Sequence, residues 1–371
     1  RHHRHHRPEG ILSVSVEFIG IASTAAGSES QGFAGPAVDP AYLERLVRTH
    51  EDAGFDRVLV AHSSAMPDGF VVADQILSRT TTLKVLLAHR PGFVAPTIAA
   101  RTYATLDAFH PGRVALHVIT GGDDVDQARD GDLTDKVTRY RRTDEFLDVL
   151  RREWESAAPF DYDGEFYRVR GGWSSVRPAA GNIPIYFGGA SADAIRVGGR
   201  HADVYAFWGE PLAGIVERIG QVRAAAAPHG RDPRFSVSLR PIPADTEQSA
   251  WDRAADILEL TQARAGELKR AIGIDGAAQV GSQRLLKFAA EGDVHDKRLW
   301  TAIAKATGAA GNSTALVGSY EQVAESLVDY VNVGVSTLLI RGFDPVADAR
   351  DYGALIRLVR DQTADREPVP A

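Results

Sequence analysis

The 371-residue sequence predicts an α/β fold: a single (β/α)8 barrel of the TIM type. Three observations lead there. Eight short, β-branched segments recur along the chain, each bounded by Gly, Pro or charged residues. Each is followed by a helical pattern and not by a second strand. Most run almost continuously apolar, as parallel strands covered on both faces do. Length alone would allow two or three domains of roughly 150 residues, but one barrel absorbs about 250 residues or more.

The eight strands are Ser13–Ile21, Arg57–Ala61, Leu83–Ala88, Arg113–Ile119, Ile183–Phe187, Asp203–Trp208, Arg234–Leu239 and Ser336–Ile340. Capped helices lie between them. Asp39-Pro40 supplies an N-cap and an N1 proline ahead of Leu43, Leu46 and Val47, and Gly54 stands where a left-handed residue ends a helix. A helix near Val137–Trp154 carries Tyr140, Phe146, Leu147, Leu150 and Trp154 at helical spacing. Ser319-x-x-Gln322 reads as a capping box before Val323, Leu327 and Tyr330, with Gly334 as the stop.

Two spacings exceed the repeat. Residues 156–182 hold Phe160–Val169, whose Asp163-Gly164 turn predicts a hairpin before the fifth strand. Residues 262–313 form a long insertion between the seventh and eighth strands. Its stretch Gly292–Ser313, rich in Gly, Ala and Asp with little periodicity, predicts a mobile lid. The start, Arg1-His2-His3-Arg4-His5-His6-Arg7, lacks an apolar core or a cleavage site, so residues 1–10 read as a solvated, tag-like tail and residues 11–371 as the barrel domain.

Composition narrows the chemistry. The absence of cysteine excludes disulfides, Cys-ligated metals and a thiol nucleophile, and suggests a cytoplasmic enzyme. A net charge of −7 gives no basic footprint for nucleic acid, and no apolar run reaches the ~20 residues of a membrane helix. No strand leads into a G-x-G-x-x-G or Walker motif, which argues against a doubly wound nucleotide-binding sheet. The His and carboxylate patterns of metal-dependent barrels are also missing, so no metal is expected.

In a barrel the reacting groups sit just past the strands. The fourth strand ends in His117-Val118-Ile119-Thr120-Gly121, the fifth in Phe187-Gly188-Gly189-Ala190-Ser191. A Gly-Gly-x-Ser turn opening a helix offers backbone N–H groups, a hydroxyl and the positive helix end together. It reads either as a phosphate site or as a tight turn with Ser191 as a simple N-cap. Arg90, Arg240 and Arg341 follow or end strands three, seven and eight and could form a cationic mouth, or rim ion pairs. His62, His89 and His117 follow or end strands two, three and four and are candidates for acid–base work or cofactor contact, or for structural hydrogen bonds.

These residues carry a resemblance. The runs Pro96-Thr97-Ile98-Ala99-Ala100-Arg101, Gly112-Arg113-Val114-Ala115-Leu116, Ile119-Thr120-Gly121, Arg139-Tyr140-Arg141, Phe187–Ser191, Trp208-Gly209-Glu210-Pro211 and Thr314-Ala315-Leu316-Val317-Gly318 stand in order. In that order the sequence resembles the bacterial luciferase-like flavin-dependent monooxygenases, in their alkanesulfonate monooxygenase branch.

The resemblance implies a two-component monooxygenase that takes reduced FMN (FMNH2) from a separate flavin reductase and uses a flavin peroxide, formed with O2, to oxygenate a small organic substrate. It implies a homodimer or homotetramer. Tyr140, Ser191 and the N–H groups of Gly188, Gly189 and Ala190 would hold the FMN phosphate. Thr120 would approach the isoalloxazine or its ribityl chain. By position at the strand ends, and not from the resemblance, His117 and Met66 are further candidates for cofactor contact and His62, Arg240 and Arg341 for the substrate. The aromatics Phe18, Phe70, Phe93, Phe207, Trp208 and Phe343 are candidates to line the water-free cavity that such chemistry needs.

The sequence departs from the sulfonate-cleaving members: Ser23, Met66, Ser238, Arg240, Ala309, Phe343 and Pro345 stand where those enzymes carry their polar set. Three alternatives remain. An F420-dependent oxidoreductase would use the same fold, a flavin-binding protein without turnover would keep the cofactor site alone, and an aldolase-like barrel would need a Schiff-base lysine near a strand end. Lys84, inside its strand, is expected to face a helix.

Overall fold

The computed structural model describes residues 15–272, 280–309 and 314–364, with side chains 267–272 left aside. The expected N-terminal tail and the first residues of the expected first strand, Ser13 and Val14, lie outside them. In chain order the elements are β1 (Glu17–Ala22), α1 (Pro40–Ala53), β2 (Arg57–Val60), α2 (Gly69–Arg79), β3 (Lys84–His89), α3 (Pro96–Phe109), β4 (Val114–Val118), α4 (Asp124–Arg129), α5 (Lys136–Glu155), β5 (Phe160–Asp163) and β6 (Arg168–Gly172). The second half holds β7 (Ile185–Gly188), α6 (Ala192–His201), β8 (Val204–Trp208), α7 (Leu212–Ala226), β9 (Arg234–Ala244), α8 (Glu247–Ile272), α9 (Val280–Glu291), β10 (Val294–His295), β11 (Leu299–Trp300), α10 (Ala302–Thr307), β12 (Ala315–Ser319), α11 (Tyr320–Asn332), β13 (Thr337–Ile340) and α12 (Pro345–Thr363).

Eight strands close a parallel barrel in the order β1, β2, β3, β4, β7, β8, β9, β13, with β13 returning to β1 through Phe18↔Leu338. These are the eight expected segments, and the predicted caps form. Asp39 accepts from Tyr42 N at 3.1 Å ahead of α1, which Gly54 ends at φ 99°. Both halves of the Ser319–Gln322 capping box are made. The hairpin is β5 against β6.

The seventh strand runs farther than expected, through Pro241 and Pro243, because of which edge each proline faces. Arg240 N donates to Thr314 O toward β12, and the strand's alternation puts the two prolines on the opposite edge, past the last β13 pairing at Leu239. The stretch expected to be irregular holds β10, β11 and α10. Its strands are two residues long, too short to carry a periodic signal; residues 310–313 lie outside the described chain.

Strand alternation sorts side chains into two sets. Phe18, Val58, Val60, Val85, Leu87, Val114, Leu116, Phe187, Tyr205, Phe207, Val237 and Leu338 pack outward in one cluster with the helices. Ile19, Leu86, Ala115, Tyr186 and Val204 fill the barrel, with Leu59 and Leu339 against them. Phe18 and Phe207 are thus helix-packing residues and not cavity lining. Lys84 shares the inward face with Leu86, at the N-terminal base beside Arg57, so it does not face a helix.

Candidate active site

Following each inward series to its C-terminal end builds the site. Above Leu59, Leu86, Ala115, Tyr186, Val204 and Leu339 the next inward positions are Ala61, Ala88, His117, Gly188, Ala206 and Arg341, while β9 contributes Ser238 and Arg240. The base of the barrel is filled by long side chains. Its upper end is walled on several strands by Ala, Gly and Ser, which leaves room above the hydrophobic layer.

The β7–α6 turn stands at one edge of that room. Ser191 is the N-cap of α6 and accepts from Ala194 N at 3.2 Å. Tyr140, buried on α5, carries its hydroxyl to the same turn, and burial raises its phenol pKa. Gly189 has φ 138°, and a Cβ there would lie 2.6 Å from Ala194 Cβ and 3.2 Å from the Tyr140 hydroxyl. Only glycine keeps this cradle open, with the amide dipoles of α6 aimed at it. Thr120 lies buried nearby on the β4 side. Its hydroxyl is 3.2 Å from that of Thr143, and its carbonyl accepts from Gln127 Nε2 at 3.0 Å.

The three strand-end histidines separate. His117 faces inward, with its ring edge 3.3 Å from where a Gly188 Cβ would be, and its buried Nδ1 has no partner among the described residues. Burial lowers its pKa to about 4, so it is neutral at pH 7. His89, one residue out of phase, faces outward among Phe70, Tyr103 and Phe146 and does not reach the site. Phe70 is therefore part of that outer aromatic cluster too. His62 is half-buried beyond β2, beside Arg90 and Asp126, its pKa lowered by burial and by the Arg90 charge. Met66, in the same loop, is 43% exposed, and Phe93 is also exposed.

The cations are mostly engaged. Arg90 pairs with Asp126, which also accepts from the Ser64 hydroxyl at 2.5 Å. Arg240 is not an open cationic mouth. It is 1% exposed, held twice by Glu29 at 2.9 and 3.0 Å, and stacked 4.0 Å over the Phe343 ring. Arg341 remains 39% exposed.

A family model for luciferase-like monooxygenases matches residues 17–337. The chain belongs to that family. Among solved structures, this luciferase-like chain is similar to a riboflavin lyase crystallised with modified FMN and riboflavin (18% identity, 96% of this chain and 94% of that one covered, TM-score 0.76). It is also similar to an EDTA monooxygenase from Chelativorans sp. BNC1 (17% identity, 96% and 95%, 0.74). A third is an F420-dependent secondary alcohol dehydrogenase with an F420–acetone adduct (18% identity, 94% and 100%, 0.69). At these identities the likeness is one of fold.

Within the luciferase-like barrel, the insertion reaches the turn. A Cβ on Gly281, at the start of α9, would lie 3.3 Å from the Trp208 ring and 3.7 Å from Ala190 Cβ. Glu210 at the end of β8 receives Arg284 of α9 through two hydrogen bonds, 2.8 and 2.6 Å. Glu29, Asp126 and Arg284 are the residues that sequence reasoning missed. Glu29 is a lone charge in Gly27-Ser28-Glu29-Ser30, and the pattern holds no sign that this loop folds inward. Among the described residues no cluster of three or more His, Asp or Glu could hold a metal, and no helix is long and apolar enough to cross a membrane.

Proposed function

We propose that the chain is an FMN-dependent monooxygenase that works on reduced FMN delivered by a separate reductase and inserts one oxygen atom of O2 into a small organic substrate. The observation that carries the reading is the Gly188–Ser191 cradle at the α6 N-terminus, with the Tyr140 hydroxyl on one side and, inside the barrel, a His117 Nδ1 that has no partner among the described residues. A cradle that any side chain would fill, next to a buried polar atom without a partner, fits a phosphate-bearing ring cofactor. FMNH2, when bound, supplies the two electrons and two protons by which the second oxygen atom leaves as water.

The chain's own residues would act around it. Ser191, Tyr140 and the turn amides bind the phosphate by charge-assisted hydrogen bonds. Neutral His117 offers one N–H or one lone pair to a polar ring atom, and Thr120 borders the same space from β4. Trp208, under the α9 lid, helps to exclude water.

Fluorescence titration tests this. Wild-type protein should bind FMN, and Ser191→Ala should weaken binding about tenfold, the loss of one hydrogen bond to a charged group. Absence of FMN binding overturns the reading, and tighter binding of F420 assigns the barrel to the deazaflavin oxidoreductases instead. Bound reduced FMN without oxygen transfer to any of a panel of substrates would indicate a flavin binder without turnover.

A further inference from the structure

The C-terminal end of the barrel holds three guanidinium groups from inward positions, Arg90, Arg240 and Arg341, and two carboxylates reach them. Arg90 and Asp126 form one pair, with side chains 5% and 0% exposed, and Arg129 stands 3.8 Å from the same carboxylate. Arg240 and Glu29 form the other. Arg240 Nη1 and Nη2 each donate to one Glu29 oxygen, and Nε and Nη2 also donate to the carbonyls of Arg341 at 3.0 Å and Gly342 at 2.8 Å. Arg341 approaches Glu29 Oε1 only to 3.8 Å, beyond hydrogen-bond distance, and its guanidinium makes no hydrogen bond among the described residues. Of the three guanidinium groups, Arg341 is the most exposed and the one that makes no hydrogen bond to a carboxylate among the described residues.

The loop that carries Glu29 is fixed in place. Ser28 Oγ donates to Phe343 O at 2.5 Å, and Thr24 Oγ1 to Ala37 O at 2.7 Å. Burial pushes the Glu29 carboxyl up, but the charges of Arg240 and Arg341 outweigh this and hold it well below the usual carboxylate range. Glu29 is therefore a permanent internal counter-ion. Without it, Arg240 and Arg341 on neighbouring strands would form a doubly charged clamp.

We propose that Arg341 receives a singly charged oxyanion headgroup of the substrate, a carboxylate or sulfonate, and that Glu29, by neutralising Arg240, limits the site to one negative charge. Burial lowers the Arg341 pKa against the pull of Glu29, but a guanidinium keeps its proton in proteins, and it presents a planar donor fork suited to such a group. Leu339, inward on Arg341's own strand, and Ala206 and Trp208, inward on β8 on the far side of β9, give the rest of the molecule an apolar wall. That the bound anion is then oxygenated rests on the monooxygenase reading; the binding preference does not.

Isothermal titration with hexanoate, hexane-1-sulfonate, 1-hexanol and adipate, on FMN-free and FMN-saturated protein, tests both. Wild type should bind the two monoanions about tenfold more tightly than hexanol, and adipate no more tightly than hexanoate. Arg341→Gln should bring the monoanions to within about threefold of hexanol while its circular dichroism and unfolding transition stay those of wild type. Glu29→Gln, where it still folds, should shift preference toward adipate. Three results would each overturn the proposal: no tighter binding of monoanions than of hexanol, including no binding of any probe; an Arg341→Gln variant that keeps the preference; or a wild type that prefers adipate. Monoanion preference in protein that fails to bind FMN would overturn the cofactor reading alone, and FMN binding without the preference would overturn this proposal alone.

Discussion

His89 and His117 stand on adjacent strands, one residue apart in register, and point to opposite faces of the sheet. Both are strand-end histidines in the sequence, and only the period-two alternation tells the outward ring from the inward one. That one-residue phase is what a list of strand ends does not contain, because it depends on which neighbours are already known to face the barrel. His89 packs against Phe70, Tyr103 and Phe146 with a buried Nε2 that has no partner among the described residues, and burial lowers its pKa to about 4. Unfolded, it would titrate near about 6.5. The unfolded chain takes up a proton that the folded one refuses, so this contribution to stability is complete above pH 6.5 and is lost as the pH falls toward 4. Between pH 7 and 5 the loss is about 2 kcal/mol for one such histidine. His89→Phe, of similar shape and without the unpaired nitrogen, should reduce the acid loss by about that amount, with His50 and His117 still contributing theirs. Urea unfolding of both proteins at pH 7 and pH 5 measures it, and equal pH dependence in the two would refute the assignment.

At the scale of elements, what was legible is what repeats. Eight strands and their caps follow from β-branched runs, Asp39-Pro40 and Ser319-x-x-Gln322, each a local signal that local chemistry satisfies. The insertion was legible as excess length and little more, because β10 and β11 are two-residue strands and α9 is held by partners far away in sequence. Arg284 of α9 meets Glu210, and Leu212 N meets Asp296 Oδ2 at 2.9 Å. Both contacts bind the insertion to the end of β8, next to the Gly188–Ser191 turn that Gly281 overlies. Arg284→Met removes the better-placed partner of a 4%-exposed residue and, among the described residues, leaves the Glu210 carboxylate only Arg218, at 3.9 Å. The expected cost is about 2–4 kcal/mol, falling on the docking of α9. Hydrogen exchange should accelerate in α9 and not in β3 or β4, and FMN should dissociate faster. Uniform acceleration across the barrel would mean that the pair supports the whole fold and not α9 alone.

The two ends of the molecule divide the work. At the N-terminal base Glu17 closes the barrel chemically. It accepts the Tyr186 hydroxyl at 2.5 Å, the Arg57 Nε at 3.3 Å and the Thr337 hydroxyl at 3.3 Å, joining side chains from β1, β2, β7 and β13. At the opposite end the candidates for chemistry, Tyr140 of α5 apart, stand on strand ends or loops, with the layer of Ile19, Leu86, Ala115, Tyr186 and Val204 between. In such a barrel the base sets stability and the mouth sets function, and a rigid hydrophobic layer separates the two. Glu17→Ala strands Arg57, whose side chain is 7% exposed, without its counter-charge. Breaking a buried pair in this way costs about 3–5 kcal/mol. Because the loss falls on barrel closure, it should appear as a lower midpoint of global denaturant unfolding, with FMN affinity held within about twofold in the folded protein. A parallel fall in cofactor affinity would show that the two ends are mechanically coupled through Tyr186, which shares β7 with the Gly188 cradle; unchanged stability would show that Arg57 finds another partner when Glu17 is gone.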